Sequence, residues 1–149
     1  MVSLAIVMVM DNPLKPSFTP FLSHLGAEMV SLGKGQAEIK LQLQSHMENG
    51  LGVAHGGIVM TMLDVVMALA AKSSDPDGMG VVTIEMKTSF LRPARGEIHG
   101  FGWCDHYSST MAFCRGELRD TQGRLLAQGM GTFKRMASLG GRKKHVGSD

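Results

Sequence analysis

Residues 58–71 read Ile-Val-Met-Thr-Met-Leu-Asp-Val-Val-Met-Ala-Leu-Ala-Ala. Only Thr61 and Asp64 interrupt the apolar run, and neither Pro nor Gly falls inside it. At about 1.5 Å per residue this is a helix roughly 20 Å long. A helix that is apolar on every side is expected to be buried on every side. It follows a glycine-punctuated stretch, Asn49-Gly50, Gly52 and Gly56-Gly57, and stops before Ser73-Ser74-Asp75-Pro76-Asp77-Gly78, a loop signal.

Outward from that helix the pattern changes to period two. Ala37, Ile39, Leu41 and Leu43 alternate with Gln36, Glu38, Lys40, Gln42 and Gln44, a strand with one buried face. Met29–Leu32 is its expected hairpin partner, turning at Gly33-Lys34-Gly35. Downstream, Val82, Ile84, Met86, Thr88 and Phe90 share one phase. After a turn at 92–96, strands are expected over 97–105, 111–119 and 125–134. One buried helix followed by an antiparallel meander is an α+β plan in which the sheet wraps the helix.

The 149 residues suit one domain, over 21–134. Residues 1–20 form an apolar and then Pro-rich segment, with a short helix near Phe21–Leu25. Residues 135–149 form a basic tail, expected to be solvated. The first ten residues are too short to span a bilayer and lack a basic start, which points away from membrane and export and toward the cytoplasm. A net charge of +2 gives no case for nucleic acid. Nineteen glycines suggest tight turns and close backbone contacts, and 13 methionines an adaptable interior. Cys104 and Cys114 face each other if the hairpin turns at Ser109. They are read as reduced thiols. The six histidines show no zinc-like spacing, so neither metal nor cofactor is expected.

The chemistry centres on the start of the helix. Free N–H groups and the helix dipole favour negative charge there, and Gly56 and Gly57 let a ligand approach the backbone. Asp64 lies two turns beyond Gly57, with Thr61 on the same stripe. A carboxylate in so apolar a helix is costly unless it is bonded or used. Asn49, His55 and Thr83 each have a plainer reading as turn residue, helix cap and strand residue. Together with the glycines and Asp64 they make a kit for acyl transfer.

The run Asn49–Gly57 followed by Asp64 resembles the hotdog-fold thioesterases, most closely the phenylacetate-pathway subgroup. The similarity continues through Thr83–Ala94 and Asp120–Gly129 to Gly131-Thr132-Phe133, covering about residues 24–134. The resemblance implies a five- or six-stranded antiparallel sheet around the long helix. It implies a homodimer with a continuous sheet, paired into a tetramer, and acyl-CoA as substrate. By position, Gly57 N–H would polarise the thioester carbonyl, and Asp64 would act as nucleophile or base. Asn49 and His55 would shape the site, and Thr83 would arrive from the partner subunit. Gly56 and Thr61 line the approach, and Lys87, Arg92 or Arg95 are candidates for the CoA phosphates. Two other readings remain open: a hotdog dehydratase, and an acyl-CoA binding module without catalysis.

Overall fold

In the computed structural model, residues 20–76 and 80–136 are described. The N-terminal segment before Pro20, the loop at 77–79 and the tail beyond Met136 lie outside them. The elements are α1 (Pro20–Leu25), β1 (Glu28–Gly33), β2 (Gln36–Gln42), α2 (Gly56–Ser73), β3 (Gly80–Phe90), β4 (Glu97–Tyr107), β5 (Met111–Asp120) and β6 (Leu125–Met136). β6 runs two residues into the stretch read as tail. Arg135 is anchored there, its guanidinium on Asp75 and over the Tyr107 ring.

The alternation at 36–43 does what its period requires: Ala37, Ile39, Leu41 and Leu43 are buried. β1 turns back onto β2 through Lys34 (φ 51°) and Gly35 (φ 76°), two left-handed residues that match the twist of a hairpin. Six antiparallel strands make one sheet in the order β1-β2-β4-β5-β6-β3. The meander expected from the sequence therefore holds for β4, β5 and β6 only. β3 pairs with β6 and ends as a sheet edge.

α2 lies against the inner face of this sheet, and glycines set how closely. A β-carbon at Gly102 would stand 2.3 Å from the Val66 carbonyl oxygen, so only glycine lets β4 run directly under the helix. Met62, Leu63, Val66, Met67 and Ala70 fill the interface, with Ile98, Leu118 and Phe133 opposite.

The expectation of all-round burial is corrected by the structure. α2 carries an uncovered stripe through Gly57, Thr61, Asp64, Ala68 and Lys72, spaced three or four apart, with Met60 beside it. The sheet curls round only part of the helix circumference, and within this chain nothing described closes the rest. The phase of β3 is corrected too. A bulge between Thr83 and Glu85 inserts a residue. Thr83 opposes buried Phe133 on the helix side, while Ile84 falls in the bulge, 54% exposed.

Candidate active site

The site is built where the loop before α2 meets β3. Asn49 and Gly50 open a tight turn: the Asn49 side chain accepts from Leu51 N–H at 2.8 Å, and Asn49 N–H donates to Val53 O at 2.8 Å. Asn49 is thus the turn residue of the plainer reading, its side-chain oxygen committed to its own loop. The loop is pinned at its far end, where Ala54 N–H donates to Ala94 O (2.9 Å) and His55 N–H to Met47 O (2.8 Å).

His55 is the N-cap of α2, with φ −57° and ψ 140°. Its Nδ1 accepts from Gly57 N–H at 2.9 Å. Its carbonyl accepts from Ile58 N–H (2.9 Å) and Val59 N–H (3.3 Å). Three successive N–H groups of the first turn therefore end on one residue. The Gly57 N–H, for which the resemblance implied contact with the thioester carbonyl, is donated to the His55 ring in this structure. Glycine at 57 has a separate reason, since a β-carbon there would stand 3.1 Å from His55 Nδ1.

Further along the uncovered stripe, Thr61 Oγ1 donates to Gly57 O at 2.8 Å, turning its hydroxyl back along the helix. Asp64 follows, half-buried. Thr83 Oγ1 donates to Asp64 Oδ1 at 2.5 Å. The two residues meet within one chain, whereas the resemblance implied a Thr83 from the partner subunit. The β3 bulge is the cause, because it puts Thr83 on the face that meets the helix.

A residue the sequence reading passed over stands at the other end of that face. The Phe90 ring is 56% exposed and lies 3.6 Å from where a β-carbon on Gly56 would be. It forms an apolar wall beside the helix entrance. A half-exposed aromatic ending an edge strand was legible as a phenylalanine, but its neighbour was not.

The three cations expected near CoA phosphates are dispersed. Arg92 Nη1 donates to Leu125 O (2.8 Å), tying the end of β3 to β6. Arg95 Nη1 donates to Gly52 O and braces the loop before α2. Lys87 lies on the sheet face away from the helix. There it lines a groove of about 240 Å³ with Ser89, Arg115, Glu117, Gln128 and Met130.

This layout can be set beside known proteins. The profile described as the thioesterase superfamily matches residues 51–127, which contain the whole helix entrance, Asp64 and Thr83. The chain belongs to the thioesterase superfamily. A Saccharolobus solfataricus protein provisionally named an esterase is 32% identical over 131 residues, covering 83% of this chain and 93% of its own. Mouse acyl-coenzyme A thioesterase 13 is 27% identical over 107 residues, 70% of this chain and 76% of its own. The structure of a conserved Pseudomonas aeruginosa protein superposes with a TM-score of 0.78 at 31% identity, covering 84% of this chain and all of that one (100%). The fold is the hotdog fold of this superfamily.

Within the superfamily frame, two other groups are structural. Cys104 and Cys114 are direct register partners on β4 and β5, both free thiols. Burial, reinforced by Cys104, pushes the Cys114 thiol well above the usual range and leaves it an inert packing group. Ser73, buried near the end of α2, accepts from Gly35 N–H and donates to Ala70 O, both at 2.9 Å.

Proposed function

We propose that this chain hydrolyses an acyl-CoA thioester to the free acid and CoA at the uncovered stripe of α2, with Asp64 as the central carboxylate. The observation that carries the reading is the Asp64–Thr83 bond on the stripe of the helix that the described residues leave uncovered. Thr83 holds one carboxylate oxygen and leaves Oδ2 to act. That oxygen either attacks the thioester carbon or takes a proton from an attacking water. By the first route the C–S bond breaks to leave an acyl anhydride on Asp64, which water then hydrolyses to the free acid. By the second, water oxygen bonds to the carbonyl carbon as the C–S bond breaks. In both, the leaving thiolate of CoA takes up a proton. The partial positive charge at the start of α2 favours the oxygen that gains charge. Membership in the superfamily and the likeness to the mouse acyl-CoA thioesterase support the acyl-CoA class.

The working unit in this reading is a homodimer, which pairs into a tetramer. β3 is an eleven-residue edge strand with exposed Val82 and Ile84, and pairing it with a second copy satisfies that edge and covers the open stripe. Each Asp64–Thr83 pair then comes from one subunit. The two facing free thiols fit a reducing compartment such as the cytoplasm.

The test is thiol release by the purified chain over a panel of aromatic and straight-chain acyl-CoAs. Steady release that Asp64→Asn abolishes is the expected result. A chain that binds acyl-CoA yet liberates no thiol is a binding module, and the reading fails.

A further inference from the structure

The outward face of the sheet, on the side away from α2, carries a second concave surface that the hydrolysis does not use. Strand register builds it. Lys87, Met130 and Arg115 stand side by side on one rung of β3, β6 and β5, and Ser89, Gln128 and Glu117 on the next but one. The rung between holds Gly129 and Gly116, whose β-carbons would point inward, 3.5 and 3.3 Å from the Leu63 side chain. Two rows of side chains about 7 Å apart therefore stand over a floor of backbone. The trough they enclose is the groove of about 240 Å³.

Its polar groups are uncommitted. Among the described residues, Lys87 makes no ion pair, and the side chains of Ser89 and Gln128 make no hydrogen bond. Glu85, the one acid of β3, accepts from Thr132 Oγ1 at 3.5 Å instead of pairing with Lys87. Arg115 gives only its Nε–H, to Asp105 at 3.1 Å. Its guanidinium lies 4.3 Å over the Trp103 ring, which holds its plane and leaves both terminal amino groups unbonded. Glu117 is the one acid of the lining, and two bonds from Arg119, at 2.9 and 2.6 Å, offset its charge. An ammonium and a guanidinium on one wall thus face a hydroxyl and an amide on the other, donors for a ligand rich in acceptor oxygens and negative charge. We propose that this trough binds a phosphate ester, with Lys87 as its charge partner and Ser89 and Gln128 as hydrogen-bond donors. Lys87 is on the outer face of β3 and Thr83 on its inner face, so the sheet stands between this ligand and Asp64. The inference does not depend on the hydrolysis proposed above.

The experiment is calorimetric titration of the whole chain at low salt with two probes, glycerol 3-phosphate and adenosine 3′,5′-bisphosphate. Saturable binding that weakens as salt rises is expected. Lys87→Met should weaken it at least about tenfold, the scale of one charge-assisted hydrogen bond. Glu117→Gln removes the opposing charge and should tighten it about threefold. Asp64→Asn should leave it unchanged. Lys87 and Glu117 lie on an outward face, so both variants should melt within a few degrees of the parent. Equal affinity for the two probes means that the phosphate alone is read, and a tighter bisphosphate makes the ligand a nucleotide. Binding that Lys87→Met leaves intact, or that Asp64→Asn removes, puts the ligand elsewhere and overturns the site. If neither probe binds, the site is refuted. If Lys87→Met then also changes the assembly state in sedimentation, the trough is a contact between copies of this chain.

Discussion

The two ends of α2 come from one apolar run and have opposite surroundings. From Val66 to Ser73 most of the helix is buried, with Ala68 and Lys72 on the uncovered stripe, and the polar Ser73 is buried with partners on both sides. From Gly57 to Asp64 the uncovered side carries a capping imidazole, a back-bonded hydroxyl and a carboxylate held by Thr83. Met60, 41% exposed, marks how open that side is. Polar groups in one apolar helix thus serve stability where they are enclosed and remain accessible for chemistry where they are not. The contrast predicts that substitutions at the closed end cost stability, whereas those at the open end cost turnover with the fold intact.

The largest effect belongs to Gly102→Ala. The new methyl would meet the Val66 carbonyl oxygen at 2.3 Å, backbone against backbone, with no flexible group to give way. A loss of about 4 kcal/mol or more is expected, most of the stability of a marginal domain. Denaturant unfolding measures it, and a variant as stable as the parent would mean the helix is not seated as described.

Asp64→Asn comes next and should act on the other axis. Turnover should fall about a hundredfold, equivalent to about 2.7 kcal/mol in the barrier. Stability should hold, because the Asn side-chain oxygen can still accept from Thr83 Oγ1. Steady-state kinetics and a thermal melt on the same sample check both halves. Unfolding of this variant would blur the distinction between the two ends.

At the closed end, Ser73→Ala strands the Gly35 N–H in a buried place, at a cost of about 2 kcal/mol. Its melting temperature should drop by several degrees, while kcat at a temperature where it is folded stays unchanged.

The smallest effect is expected for Thr83→Val, which frees Asp64 Oδ1 and should lower kcat about tenfold while leaving the fold in place. The pair also sharpens the question of where each site is built. Because Thr83 and Asp64 meet within one chain, mixing Asp64→Ala with Thr83→Ala leaves one lesion in every site of a mixed dimer. Activity should not return even after confirmed subunit exchange. Recovery toward half of the parental activity would restore the partner-supplied Thr83 that the resemblance implied.

The period-two pattern of β2, the turns and the presence of the central helix were legible in the residues, though the helix runs two residues past each end of the apolar run. Asn49, His55, Gly56, Gly57 and Asp64 stood out as candidates by type and spacing. That legibility has a physical source: solvent imposes apolar periodicity on each element locally, and glycine and asparagine mark turns by their own backbone preferences. The position of β3 was not legible. Its residues suit a hairpin with β4 as well as they suit an edge beside β6, and strand order depends on contacts far apart in the chain.

The sequence by itself determined an α+β domain, one apolar helix, and a lone carboxylate two turns from a Gly-Gly entrance. Only the tertiary structure decided that the helix keeps one side open, because that depends on how far the sheet curls. It also decided that Thr83 reaches Asp64, because a one-residue bulge reverses which side chains face inward. And it decided that Gly57 gives its N–H to the His55 ring. A histidine before two glycines can point many ways, and backbone bonds to Met47 and Ala94, on either side of it in the chain, leave it one.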